Sequence, residues 1–373
     1  MTTPALFSEL KLRDLTLKNR IVLSPMCQYL AVDGLVQDWH YAHHSRYALS
    51  GLGLAIVEAT AVQRDGRITH GCTGLWDDSQ IGGMKRIVDL YHAHGVAVGI
   101  QLGHSGRRGS AHRPWEGAHP IGADDRHEPA WETVGPSAIP EKSGGPVPRE
   151  LSVTEIEALT DDFVAAARRA LMAGFDVVEI HGAHGYLIHS FVSPISNQRT
   201  DGYGGTPEKR MRLPLEITEA VRRVWPEDKP LFYRVSAVDG VVGGLSITET
   251  TRLAAKLKEL GVDVIDCSSG GMAGPATLST AKLRPGFQVP YAEAIKRDAR
   301  IRTMAVGAIL DGPQAQAIIA RGQADLVAIG REMLSDPNFA YHAAEAVDLA
   351  DPYAVLPRYY GFYLERRAKV LER

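Results

Sequence analysis

Residues 174–187 read GFDVVEIHGAHGYL, and the fold turns on how this stretch divides. Val177–His181 is short, β-branched and apolar at nearly every position, as expected of a parallel strand covered on both faces. It runs into a segment of histidine, glycine and tyrosine. Upstream, Ile156, Leu159 and Phe163 recur at helical spacing behind Thr154 and Glu157, which predict a capping box. The division is helix, strand, polar loop.

The same unit recurs along the chain. Strand cores are read at Ile21–Leu23, Leu54–Glu58, Val96–Gln101, Val177–His181, Leu231–Val235, Val262–Cys267, Thr303–Val306 and Leu326–Ile329. Ser246 with Glu249 predicts a second capping box, on a helix that Gly261 ends; Asp311 opens another and Gly322 closes it. Eight strands alternating with helices predict an α/β fold, a (β/α)8 TIM barrel, with a doubly wound sheet as the competing arrangement. Residues 1–373 suit one such domain, and no repeat or linker divides them. One connection, residues 103–151 after the third strand, has no helical or strand period. Its tryptophans, Trp115 and Trp131, stand among turn signals, which predicts an ordered lid.

Composition narrows the function. A net charge of −3 offers no broad basic surface, which argues against nucleic acid as a partner. Charges interrupt every apolar run before about 18 residues, which argues against a membrane span, and Glu9, Lys11, Arg13 and Asp14 do the same for a signal peptide. Three widely spaced cysteines, Cys27, Cys72 and Cys267, suit free thiols in a reducing compartment, so the cytoplasm is the expected location.

Chemistry in such a barrel sits at the carboxyl ends of the strands, and the unusual polar residues collect there. Ser24-Pro25-Met26-Cys27-Gln28-Tyr29 follows the first strand, Ala59 and Thr60 the second, and Gln101 ends the third. His181, His184 and Tyr186 close the fourth. Arg234 lies inside the fifth, where a charge needs a partner. Gly307 follows the seventh strand, and Gly330-Arg331 follows the eighth, where these barrels build phosphate sites. Each piece has a bland reading as well: loop histidines, a packing tyrosine, an inert thiol, a turn glycine beside a solvated arginine. His181 and His184, with Glu179 or His189 as a third ligand, also allow a metal-dependent barrel hydrolase. A resident dinucleotide domain is disfavoured, because Gly51-Leu52-Gly53 precedes a strand and has Ile56 where a third glycine belongs.

Longer stretches make the set recognisable. Lys18-Asn19-Arg20-Ile21, residues 24–29, residues 57–62, Gly99-Ile100-Gln101-Leu102, residues 113–117, residues 181–187 and residues 196–205 (SNQRTDGYGG) lie in order along the chain. With them, residues 6–366 resemble the Old Yellow Enzyme family of FMN-dependent ene-reductases, within it the bacterial subgroup of xenobiotic reductases. The resemblance implies an NADPH dehydrogenase that holds FMN without a covalent bond, takes NADPH or NADH as donor, and reduces activated C=C bonds of α,β-unsaturated carbonyl compounds or nitro compounds. No metal is implied.

By motif match, Ser24, Pro25, Met26 and Cys27 line the flavin, and Ala59 and Gln101 contact its polar edge. Arg234 offsets its negative charge, and Gly307, Gly330 and Arg331 hold its phosphate. His181 and His184 bind the substrate oxygen, Tyr186 donates the proton, and Tyr29 is a further substrate contact. Val306 and Tyr363 stand where relatives can carry tryptophans, which bears on substrate range. The resemblance also implies a homodimer or homotetramer, with the C-terminal tail, residues 352–373, bringing Tyr363 towards a neighbouring active site. Three scattered cysteines do not supply the iron–sulfur cluster of the larger flavin relatives.

Overall fold

Pairing between the last strand and the first decides between the two arrangements. Strands Ile21–Leu23 (β1), Leu54–Ala61 (β2), Ala97–Gly103 (β3), Val177–Gly182 (β4), Leu231–Ser236 (β5), Val264–Ser268 (β6), Arg302–Val306 (β7) and Leu326–Ile329 (β8) are neighbours in sequence order. β8 then returns to β1, with Val327, Ala328 and Ile329 beside Ile21, Val22 and Leu23. The barrel is closed and parallel, whereas a doubly wound sheet would leave two open edges. This computed structural model describes residues 3–122, 125, 128–273 and 284–371.

Eight helices cover the strands in turn: Asp38–Ala48 (α1), Ile81–Ala93 (α2), Val153–Ala173 (α3), Arg212–Val224 (α4), Ile247–Glu259 (α5), Val289–Ala299 (α6), Gly312–Ala320 (α7) and Phe339–Ala346 (α8). Their start signals hold with one correction. The capping box of α3 is made by Ser152 and Glu155, not by Thr154 and Glu157: Ser152 Oγ accepts the Glu155 N–H, and Glu155 Oε2 accepts the Ser152 N–H at 2.8 Å. Both pairs share one spacing, and Ser152 is the residue whose backbone is still extended.

Side chains alternate between the two faces of each strand, which sorts the barrel into layers. Val22, Leu54, Ile56, Val177, Phe232, Val264, Met304, Leu326 and Ala328 form one apolar cluster inside the barrel, packed on Leu10, Leu12 and Leu17 of an N-terminal hairpin. The opposite parity, such as Val178, Ile180, Tyr233 and Ile265, packs outward in the larger core with the helices. Two residues further along the inward parity stand Gln101, Glu179, Arg234 and Asp266. Two further again on β4, β5 and β6 stand His181, Ser236 and Ser268. An apolar floor thus carries a polar layer, and that layer carries the site.

Between β3 and α3 the chain forms two short 3-10 turns, Gly106–Arg108 and Pro114–Glu116, and a brief parallel pairing of Val134–Gly135 with Arg149–Glu150. Trp131 anchors it to the loop after β2: its Nε1–H donates to the Asp65 carbonyl at 2.9 Å, and the Arg67 guanidinium lies 5.2 Å from its ring. Residues 123, 124, 126 and 127 of this connection lie outside the described residues. The tail forms a further helix, Arg358–Val370, that buries Gly361 and leaves Tyr359, Tyr360, Phe362 and Tyr363 exposed. Among the described residues, no helix is long and apolar enough to cross a membrane.

Candidate active site

Three rings from the loop after β4 meet. The His181 ring centre lies 5.1 Å from that of His184 and 5.1 Å from that of Tyr186, each pair nearly perpendicular, and His184 lies 6.5 Å from Tyr186. His181 Nδ1 accepts the Ala183 N–H, so its proton sits on Nε2. His184 Nε2 pairs with Ser268 Oγ at 2.7 Å. Burial, then the positive charge of Arg234, pushes both imidazoles well below the usual histidine range. Both are therefore neutral at pH 7 and offer N–H donors, not cations. Burial raises the Tyr186 phenol above its ordinary value, while Arg108, whose guanidinium lies 5.6 Å from the ring, opposes the shift.

Tyr186 borders a cavity of about 630 Å³ that the long connection roofs with residues such as Arg108, His112, Trp131 and Glu141. Tyr29 lines the same cavity, held from behind by the Arg113 guanidinium on its carbonyl and by Trp115 against its ring. A small recess beside it joins Ala59, His104, His181 and Tyr186. Tyr363 does not line either space.

Beneath the histidines, Arg234 finds the partner that its place in a strand demands. Its Nε lies 3.1 Å from Asp266 Oδ2 on the neighbouring strand, in a bent contact that leaves Nε without a straight hydrogen bond. On the other side Gln101 Nε2 donates to Glu179 Oε1 at 2.7 Å. Burial and the nearby Asp266 push the Glu179 carboxyl up to about 8, against the pull of Arg234. Burial raises the Asp266 carboxyl as well, against the pull of the same guanidinium.

The remaining sequence candidates form a rim. Ser24 N–H donates to the Ile329 carbonyl, and a side chain at Gly330 would meet Met26 and Ser24, so the loops after β1 and β8 touch. Val306 beside Ala328 puts Gly307 and Gly330 past the ends of adjacent strands. The register of β2 shifts between Val57 and Thr60, and Ala59 is the half-exposed residue of that otherwise buried strand. Pro25, Met26, Cys27, Gly307 and Gly330 are likewise half-exposed, and Arg331 is exposed. Burial raises the Cys27 thiol well above its usual value, with Glu58 adding to the effect. A wall of small and apolar groups, a buried guanidinium with an unsatisfied Nε and an arginine at the rim fit a flat ring carrying one phosphate.

Sequence reading missed the groups behind these. Asp266 partners Arg234; Arg108 donates to the His184 carbonyl at 2.7 Å; Glu58 accepts the Gln28 N–H at 2.8 Å. Glu58 and Asp266 carried the signal that marked Arg234, a charge inside an apolar strand. The two third ligands of the hydrolase reading are engaged elsewhere, Glu179 with Gln101 and His189 with Gly185 and Asp239.

A profile of the NADH:flavin oxidoreductase / NADH oxidase family matches residues 5–349. The chain belongs to this family. It is 46% identical over 342 residues to an NADPH dehydrogenase of Geobacillus thermodenitrificans, covering 91% of this chain and 94% of that one. Its fold matches an old yellow enzyme from Trypanosoma cruzi with a TM-score of 0.76 at 27% identity, over 93% of both chains. Against a 2-naphthoyl-CoA reductase the TM-score is 0.82 at 26% identity, and the match covers 94% of this chain but about half, 53%, of that longer one. Membership makes the chain an Old Yellow Enzyme-type, FMN-dependent oxidoreductase with NAD(P)H as its donor, and the hydrolase reading gives way.

Proposed function

We propose that this family member reduces activated C=C bonds of α,β-unsaturated carbonyl compounds, and nitro compounds by the same oxygen site. The observation that carries the reading is the meeting of the His181, His184 and Tyr186 rings, with Tyr186 lining the 630 Å³ cavity and His181 the small recess beside it. Bound FMN supplies the hydride, taken from NADPH or NADH.

This chain's residues do the rest. His181 offers Nε2–H to the substrate oxygen. If Ser268 donates to His184 Nε2, the second ring offers Nδ1–H. Two neutral donors aimed at one oxygen stabilise the charge that grows there during reduction, most effectively where water is excluded. Tyr186 is the acid for the α-carbon: its burial keeps the phenol protonated, and Arg108 beside the ring moderates the shift. Tyr29, which lines the same cavity as Tyr186, is a further substrate contact.

For the cofactor, Ser24, Pro25, Met26 and Cys27 would line one side of the ring, with Ala59 and Gln101 at its polar edge. Arg234 would offset the charge of the reduced ring, and Gly307, Gly330 and Arg331 would take the phosphate. The connection 103–151 serves as the lid. Aromatic exposure on the terminal helix supports a homodimer or homotetramer in which Tyr363 reaches a neighbouring site, because large apolar groups grouped in this way normally pack on a partner.

Mixing the NADPH-reduced protein with 2-cyclohexenone in stopped flow tests the reading. Cyclohexanone should form as the flavin reoxidises, and His181→Ala or His184→Ala should each slow that step about 100-fold, the usual loss for one oxyanion donor. No saturated ketone, or full speed in both variants, rules the reading out.

A further inference from the structure

His184 and Gly185 stand at φ +62° and +74°, left-handed values that a residue with a side chain rarely adopts. Such a turn persists only where its surroundings fix it. Three contacts do so here. Ser236 Oγ accepts the His184 N–H at 2.9 Å, Arg108 donates to the His184 carbonyl, and His189 Nδ1 accepts the Gly185 N–H at 2.8 Å. The third differs from the others, because its acceptor is a ring that accepts only in one tautomer.

That ring is buried and backed by a carboxylate. His189 Nε2 lies 2.9 Å from Asp239 Oδ1 in a close, bent contact, and both side chains are shut off from solvent. Asp239 Oδ2 takes two more donors, the Leu245 N–H at 2.7 Å and the Ser193 hydroxyl at 2.6 Å. Burial raises the Asp239 carboxyl, but these donors outweigh it and hold the group below its ordinary value. The proposed chemistry uses neither residue.

We propose that Asp239 and His189 are positioning residues for the substrate-oxygen site: Asp239 fixes the His189 proton on Nε2, and the bare Nδ1 holds the Gly185 N–H and, through it, the His184 ring. The inference rests on the reading of His181 and His184 as the oxygen site. Its logic is one of donors and acceptors. A carboxylate only accepts, so the imidazole atom facing it must carry the proton.

Asp239→Asn separates this role from packing. Of the two atoms of the introduced amide, the oxygen must serve the Leu245 N–H, which cannot turn away. The NH2 then faces His189 and drives its proton to Nδ1, where it opposes the Gly185 N–H. His189→Asn is the converse: its amide oxygen reaches the place of Nδ1 and still accepts from Gly185, without Asp239. His189→Leu keeps neither.

The test titrates p-chlorophenol into each oxidised, FMN-loaded variant and follows the long-wavelength absorbance. Asp239→Asn and His189→Leu should weaken binding at least about fivefold, the effect of one hydrogen bond, with FMN content unchanged. His189→Asn should stay within about twofold of the parent. In protein labelled with 15N-histidine, one ring should move its proton from Nε2 to Nδ1 in Asp239→Asn. Unaltered phenol affinity in Asp239→Asn beside a loss in His184→Ala overturns the positioning role alone. Unaltered affinity in both overturns the oxygen-site reading beneath it. Should Asp239→Asn fail to fold, equal losses in His189→Leu and His189→Asn overturn the proposal.

Discussion

Two loops at the mouth of the barrel each rest on a buried carboxyl facing a histidine, and the two pairs have opposite electrostatics. Behind the loop after β4 stand Asp239 and His189; behind the loop after β1 stand Glu58 and His40. Asp239 has three close polar neighbours, His189, Ser193 and Leu245, and its carboxyl is held below the usual range. Glu58 accepts the Gln28 N–H at 2.8 Å, but His40 Nε2 is 3.5 Å away and Oε1 has no hydrogen bond. Burial pushes this carboxyl up to about 8. Burial raises both carboxyls; what opposes it differs, the His189 ring with Ser193 and Leu245 at Asp239 but only the Gln28 and Tyr29 backbone N–H groups at Glu58. One brace is ionised and the other is protonated at neutral pH.

The largest effect expected lies on the ionised side. Tyr186→Phe should slow reoxidation by 2-cyclohexenone about 100-fold or more, the worth of one positioned acid, while reduction by NADPH stays nearly intact. Stopped-flow traces of the two half-reactions check this; equal slowing of both would show that the β4 loop is not specific to the substrate step.

Removing the ionised carboxylate comes next. Asp239→Ala leaves three buried donors without an acceptor and should cost about 3 kcal/mol in urea unfolding, at about 1 kcal/mol or more for each. Glu58→Gln replaces a protonated carboxyl by an isostere and should change stability by less than about 1 kcal/mol at pH 4, where the Glu58 carboxyl holds its proton in the folded chain and mostly in the unfolded one. Similar losses in the two variants would erase the contrast.

The pH dependence sharpens it. Glu58 keeps its proton in the folded chain up to about pH 8 but gives it up near 4.5 when unfolded. The folded state binds more protons across that window, so this group's share of stability falls as pH rises through it. Asp239 acts in reverse, and its share is lost only as pH falls below its ordinary value of 3.8. Glu58→Gln should therefore flatten the decline between pH 5 and 8 by up to about 1.4 kcal/mol per pH unit, leaving the part due to Glu179. An unaltered slope would mean that Glu58 is ionised in the folded chain.

The smallest effect belongs to neither brace. Tyr363→Ala should raise KM for bulky enones about twofold to fivefold, a change of about 1 kcal/mol or less, and leave the flavin spectrum as it was. A variant with unaltered KM and oligomer size would remove the tail from the site.

By itself the sequence determined the strands, most of the helix starts and the gathering of unusual polar residues at the carboxyl ends of the strands. These signals are local: an apolar run covered on two faces, a serine three residues before a glutamate, a motif carried whole in residues 181–187. It misplaced the start of α3 because two cap pairs of equal spacing stood two residues apart. It singled out Arg234 as needing a partner but not Asp266, 32 positions away on another strand. Only the tertiary structure supplied that partner, the seating of the β1 loop on Glu58, and the hold of Asp239 on a histidine 50 positions earlier. The reason is physical. Closure of the barrel fixes which inward residues share a layer, and a buried carboxyl keeps or loses its proton according to donors that distant segments bring to it.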